Sequence, residues 1–283
     1  MARRPLGKTG ETLSIVGMGG IVVMNVSQEE ANRTVAEAVD RGVNYFDVAP
    51  SYGNAQERLG PALQPYRDQV FLACKTAERT AAGARRELEE SLRQLRTDHF
   101  DLYQLHAMTS QEDFDRATGP DGALSALVAA RQEGLVRYLG FSAHSVSTAL
   151  KLMDAFDFDT ILFPVNWVNF FNENFGPQVL ARAVEKGLGR LALKAMAKTT
   201  WQEGKPRRYQ KPWYEPVDEP DLAALALRFT LSQPVTAAIP PGEPSLFRLA
   251  LDIAEKFTPI TPEEEEELRQ RAKGLTPIFR LTA

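Results

Sequence analysis

A lysine at the end of an apolar run needs an explanation. Lys75 follows Phe71, Leu72, Ala73 and Cys74. Its stem starts among apolar neighbours, where an ammonium must find a partner or lose its charge. Similar short runs lead to Asp47, with Tyr52 just beyond, and to His106, Ser142, Asn166 and Lys194. Taken singly, these residues have ordinary readings: Asp47 a helix cap, Tyr52 a loop aromatic, His106 a satisfied core histidine. Four ionisable groups at the ends of three successive runs are harder to dismiss, because they would converge in one cleft. Asp47, one run away, is the natural partner of Lys75. A desolvated lysine without such a partner would be a Schiff-base nucleophile, whereas pairing with Asp47 keeps it charged.

The elements that must position these residues are legible as an alternation. Apolar runs at 13–19, 43–48, 70–75, 100–106, 136–142, 160–166, 189–196 and 235–240 are each too short for an amphipathic helix and end in turn or polar residues. They read as buried parallel strands. Helical patterns fall between them. Ser27 with Glu30 forms a capping box, the apolar face continues through Ala31, Val35, Ala38 and Val39, and Gly42 closes the helix. The same pattern recurs at 85–95, 123–132, 146–156, 177–186, 222–231 and 246–256. Eight such units predict an α/β fold, a closed (β/α)8 barrel forming one domain over 1–283, with an open doubly wound sheet as the alternative. Barrel active sites sit at the carboxyl ends of the strands, where the polar residues above fall. Residues 1–12, with Gly7, Thr9 and Gly10, suit a short hairpin under the barrel. The long segment 198–220, rich in Trp201, Tyr209, Trp213 and Tyr214, would lie over the mouth as a lid or as a surface excursion. The acidic run 263–267 after Thr261 and Pro262 reads as a solvated first helical turn.

Composition narrows the classes. The 283 residues are 43% hydrophobic and 25% charged, with a net charge of −4, which excludes a disordered chain and offers nothing to nucleic acid or an anionic membrane. No run approaches the roughly 18 apolar residues of a membrane span. Met1-Ala2-Arg3-Arg4 is followed by Pro5-Leu6-Gly7-Lys8 instead of an apolar stretch, so no signal peptide is expected and the cytoplasm is the default compartment. Cys74 is the one cysteine, so no disulfide or cysteine cluster can form within the chain. On a strand it would face away from Lys75, into the core. His99, His106 and His144 lack metal-ligand spacing.

The segment GVNYFDVAPSYGNAQERLG (42–60) closely resembles the hallmark segment of the aldo-keto reductases, and LACKT (72–76), DLYQLH (101–106) and GFS (140–142) continue the match. LGKTG (6–10) and IVGMG (15–19) are similar to that family's amino-terminal hairpin and first strand. The resemblance covers nearly the whole chain and is most specific over 1–142. It implies reduction of an aldehyde or ketone to an alcohol with NADPH or NADH as cofactor, and places the family's tetrad on Asp47, Tyr52, Lys75 and His106. Tyr52 would be the general acid. A free tyrosine titrates near 10, and Lys75 would lower that value by stabilising the phenolate. Asp47 would hold Lys75 charged, and His106 would donate a hydrogen bond to the carbonyl oxygen.

Departures from the family pattern concern the cofactor. Ser142 stands in the carboxamide-binding position, but Ala143 replaces the family's Asn and Leu162 its Gln, so Asn166 is the candidate replacement. Lys194 is placed near the pyrophosphate. Gly242 precedes a helix amino terminus suited to a phosphate, and Arg248 is the near cation, while Glu243 takes the place of the residue that usually grips the adenosine 2′-phosphate. The partner is expected to be a small carbonyl compound, and the oligomeric state stays open. Two other readings remain: a Schiff-base lyase using Lys75, and a non-catalytic reductase-like binding or regulatory protein.

Overall fold

A computed structural model describes residues 1–281. The chain begins with an antiparallel hairpin, β1 (Arg3–Pro5) and β2 (Thr12–Ser14). The inner wall is an eight-stranded parallel sheet in chain order: β3 (Met18–Gly19), β4 (Tyr45–Asp47), β5 (Phe71–Thr76), β6 (Phe100–Met108), β7 (Val136–Ala143), β8 (Thr160–Pro164), β9 (Gly189–Leu193) and, after β10 (Ala197–Thr200) and β11 (Tyr214–Pro216), β12 (Ala237–Ile239). A single pairing of Val16 with Ala238 brings the last strand back to the first. Gly17 N donates to Ala238 O (3.0 Å) and Ala238 N to Ile15 O (2.9 Å). The expected closed barrel is the observed architecture.

Eleven helices join these strands among the described residues: α1 (Gln28–Asp40), α2 (Ala55–Leu63), α3 (Ala81–Leu95), α4 (Gln111–Thr118), α5 (Ala123–Gln132), α6 (Val146–Ala155), α7 (Trp167–Glu173), α8 (Pro177–Glu185), α9 (Pro220–Ser232), α10 (Pro244–Glu255) and α11 (Pro262–Ala272). Ser27 caps α1 as its sequence requires, its hydroxyl accepting from Glu30 N. The acidic run opens α11 inside a full capping box of Thr261 and Glu264. The sequence pattern missed α2, whose Pro61 interrupts the apolar periodicity.

The expected strand at 13–19 divides in two. Its first half belongs to the hairpin, Met18 and Gly19 pair with β4, and Val16 between them bridges to Ala238. The expected strand at 189–196 ends at Leu193, because Lys194 takes a left-handed backbone (φ 69°) that no strand continues through. The two ends of the 198–220 segment are also regular, since β10 and β11 pair as an antiparallel ribbon.

Two apolar bodies sit on either side of the wall. Leu6 and Leu13 of the hairpin, with Tyr45, Phe71, Leu102, Leu162 and Leu191, fill the barrel from below. The larger body lies between strands and helices and includes Cys74. Cys74 therefore faces the helices, with Gln56 Nε2 of α2 at 3.4 Å, and burial pushes its thiol up to about 12. Inside the barrel, one row of residues lies in register from β5 to β9: Lys75, Gln104, Gly140, Thr160 and Gly189. A Cβ on Gly140 would stand 2.2 Å from Thr160 Oγ1, so the row closes only because that position has no side chain. Among the described residues, no helix is long and apolar enough to cross a membrane.

Candidate active site

The carboxyl ends of the strands open into a cleft. Its floor holds Asp47 and Tyr52; its walls are Gly19, Ile21, Leu162, Leu193, Lys194, Ile239, Pro240 and Gly242; Lys211 to Tyr214 cross its mouth. Asp47 ends β4, and Tyr52 follows on a turn closed by Tyr52 N to Ala49 O (3.1 Å) and Ala55 N to Tyr52 O (3.0 Å). Lys75 is fully buried. Its ammonium forms an ion pair with Asp47 Oδ1, reaches Val48 O at 3.3 Å, and lies 5.2 Å from the centre of the Tyr52 ring. Asp47 Oδ2 accepts from Gln104 Nε2 (3.1 Å) and Tyr45 Oη (3.3 Å). The His106 ring meets Tyr52 edge to face at 5.8 Å.

Burial and charge compete here. Burial raises the Tyr52 phenol and Lys75 opposes it, leaving a net upward displacement. The expected lowering by Lys75 is therefore present but smaller than the desolvation. For Lys75, burial pulls down, but Asp47 and then Tyr52 carry it above the usual lysine value. Burial, then Lys75, pulls His106 down to about 3, so its imidazole is neutral at physiological pH and carries one N–H. A protonated phenol, a fixed cation and a neutral imidazole donor thus share one corner of the cleft floor. Such a set can deliver a proton to an oxygen that gains negative charge. The ion pair keeps Lys75 charged, the opposite of what a Schiff-base nucleophile needs.

His106 owes its placement to a bulge held by Arg79, which pattern reading missed, and by Ser142. The β6–β7 ladder loses register between Leu105 and Met108, and Ala107 takes a positive φ of 52°. Arg79 Nη2 donates to His106 O (2.8 Å) while Arg79 Nε is fixed by Asp113 Oδ1 (2.8 Å). Ser142 Oγ, 1% exposed, accepts from Ala107 N (2.7 Å). Ser142 thus anchors the bulge behind His106.

The other candidates divide. Lys194 and Gly242 line the cleft. The Lys194 ammonium lies over the rings of Tyr214 (4.9 Å) and Trp213 (5.5 Å), and burial, reinforced by Lys75, lowers it to about 8. A Cβ on Gly242 would meet Ile21 Cγ2 at 2.3 Å. Asn166 lies instead in the scaffold. Its Oδ1 accepts from Asn169 N (3.0 Å) as the cap of α7, and its Nδ2 donates to Lys194 O (3.1 Å) and Ala197 O (2.6 Å). It shapes the bend that carries Lys194 and does not line the cleft. Asn166→Ala is expected to cost about 2 kcal/mol, a lost cap plus orphaned carbonyls. A urea titration checks it, and a loss under about 0.5 kcal/mol would show that Asn166 does not hold the bend. Arg248 also lies elsewhere, as its Nε pairs with Glu37 Oε2 of α1 at 2.9 Å.

A second cation that reaches the cleft, beside Lys194, is Lys211, which carries no sequence pattern. Its Nζ donates to Val22 O (2.9 Å) and its backbone N to Glu243 Oε1 (3.0 Å), which ties the 201–213 segment across the mouth. Phe279 of the carboxyl-terminal segment stacks on His144 (5.0 Å) and meets Trp213 edge to face (5.7 Å). Trp213 and Tyr214 of the long segment stand at the mouth, while Trp167 is fully buried and Phe170 and Phe171 pack on Phe229.

The cleft suits a dinucleotide. Leu162, Leu193 and Ile239 give an apolar wall, and Lys194 makes no ion pair among the described residues. The α10 amino terminus, beside Gly242, presents the amides of Ser245 and Leu246 ahead of its first intrahelical bond, Phe247 N to Glu243 O (2.9 Å).

Comparison with known proteins agrees. A sequence model described as the Aldo/keto reductase family matches residues 15–269. The uncharacterized oxidoreductase YqkF of Bacillus subtilis is 25% identical over 96% of this chain and 97% of its own length. L-galactose dehydrogenase of Arabidopsis thaliana is 28% identical over 69% of this chain and 65% of its own. The fold matches that of aldo-keto reductase AKR11C1 from Bacillus halodurans in its holo form, with a TM-score of 0.75, 23% identity and 98% of both chains covered.

Proposed function

Because the chain belongs to the aldo/keto reductase family, NAD(P)H-dependent oxidoreductases that reduce aldehydes and ketones, we propose that Asp47, Tyr52, Lys75 and His106 act as one unit that protonates the carbonyl oxygen. The observation that carries this reading is the buried Lys75–Asp47 pair beneath the Tyr52 ring. When bound, the reduced nicotinamide supplies the hydride. The rest falls to side chains. Tyr52 gives its phenolic proton to the oxygen, and Lys75 stabilises the phenolate left behind. Asp47 keeps Lys75 charged and aimed. His106, neutral and clamped through its backbone by Arg79, donates a hydrogen bond that orients the carbonyl. Trp213, Tyr214 and Phe279 wall the entrance and favour carbonyl compounds with an apolar body. The test is single-turnover reduction of a nitrobenzaldehyde at saturating cofactor, comparing the native chain with variants at Tyr52 and Lys75.

For the cofactor, Lys194, Lys211, Gly242 and the α10 amino terminus would hold the diphosphate. The 2′-phosphate has poor support: Glu243 stands at that end and Arg248 is tied to Glu37. Discrimination between NADPH and NADH is expected to stay below about a hundredfold, or about 2.7 kcal/mol. Fluorescence titration and the rise in Tm on binding measure it. A preference for NADPH beyond about a thousandfold, or about 4.1 kcal/mol, would mean that a cation such as Lys211 leaves Val22 for the phosphate.

A further inference from the structure

The barrel interior is apolar below the cleft, yet it contains Gln104. This side chain is fully buried close to Leu102 in the chain, with the Leu6, Leu13 and Phe71 cluster beneath. Its Nε2 donates to Asp47 Oδ2 (3.1 Å), while its Oε1 has no hydrogen-bond partner. A buried carbonyl oxygen without a partner costs stability, and a leucine of similar size would not incur that cost. The amide cannot simply turn round, because its oxygen would then face the carboxylate. The second donor to the same oxygen, Tyr45 Oη at 3.3 Å, also rises from inside the barrel. Asp47 is thus held on both sides: Lys75 on Oδ1, and an amide and a phenol on Oδ2.

We propose that Gln104, assisted by Tyr45, is a positioning residue that holds the Asp47 carboxylate against Lys75 and so keeps the proton-delivering unit charged. The inference rests on the roles given above to Asp47, Lys75 and Tyr52. Gln104 makes its side-chain hydrogen bond to Asp47 and does not line the cleft, so it acts through Asp47. The titratable groups around the pair are Tyr45 and Tyr52 from β4 and its loop, Cys74 beside Lys75, His106 from β6 and Lys194 beyond β9. Asp47 and Tyr52 support the positive charge on Lys75, and burial with the distant Lys194 opposes it. If Asp47 loosens, burial gains and Lys75 discharges at a lower pH. Tyr52 then loses its cation while still protonated, and carbonyl reduction falls off earlier as the solution becomes alkaline.

The test is single-turnover reduction of nitrobenzaldehyde by full-length Gln104→Leu and Tyr45→Phe, across pH and with cofactor saturating. The expected result is a rate about tenfold lower, as for loss of a hydrogen bond to a charged group. The alkaline limb should move down by about half a unit or more, with Tm nearly unchanged and cofactor Kd as in the native chain. Tyr45→Phe removes one oxygen and serves if Gln104→Leu folds poorly. A native rate and limb in the folded variants overturns the proposal. So does a lower rate with an unmoved limb, which marks a merely structural part. Tyr52→Phe is run alongside: if it keeps its rate, the underlying assignment fails, and if only the Gln104 and Tyr45 variants behave as native, this inference alone fails.

Discussion

Tyr52→Phe is expected to slow single-turnover carbonyl reduction by at least about a hundredfold, the low end of what a positioned general acid contributes. The ring stays, so its edge-to-face contact with His106 and its place above Lys75 persist. Only the hydroxyl is lost, and cofactor affinity should scarcely change. The competing donor is His106. Burial holds its ring neutral down to about 3, so it offers a hydrogen bond near neutrality but no spare proton. A rate profile with a break near the ordinary histidine value of about 6.5 would therefore point to His106, and near-native turnover in the variant would remove Tyr52 from the mechanism.

Lys75→Met should combine two losses. Turnover should drop as far as in Tyr52→Phe, because the phenolate loses its cation. Stability should also fall, by about 3 kcal/mol, since Asp47 is left buried without its counter-charge. The bonds from Gln104 and Tyr45 to Asp47 persist and keep the loss at the lower end of the range for broken buried pairs. The sign of the pH dependence follows from Lys75. Its folded value lies above the unfolded one, so the stabilisation is complete below about pH 10.4 and disappears as pH rises through the folded value. Urea titrations at neutral pH and above that range should show the gap between native and variant closing. In turnover, the double variant should be little worse than either single one, because two parts of one unit do not add. Losses that multiply would mean that Tyr52 and Lys75 act separately.

The parts that the sequence makes legible are those where local chemistry dictates position. Lys75 after four apolar residues and Asp47 at the end of the preceding strand make the buried ion pair legible before any coordinates are seen. Parity does the same for Cys74, which faces the helices because Lys75 faces the cleft. Local pattern does not reach the positions that long-range contacts decide. Asn166 has the right type and strand-end position for a ligand, but three bonds to α7 and the Lys194–Ala197 bend absorb it. Arg248 is diverted to Glu37, far away in sequence on α1. Lys211 and Phe279 lie in segments without periodicity, so nothing local marks the cleft as their destination. Gln104 could have been found: it is a polar residue in an apolar strand, two positions before His106.

The barrel has one weak joint. Most neighbouring strands are knit by continuous ladders, but the first and last meet through Val16 and Ala238 and the two amide bonds beside them. The cleft straddles that joint, with Gly19 and Ile21 on one stave and Ile239, Pro240 and Gly242 on the other. If two elements held by so few backbone bonds open locally, they do so below the free energy of global unfolding. Any molecule gripping both sides is therefore also a hoop around the cask. Its affinity includes the work of closing the joint, and the closed joint is more firmly shut while it stays. A substitution at Val16 or Ala238, out of reach of the cleft, would then be felt as weaker binding. Tightening that joint would raise affinity without adding a single contact to the bound molecule.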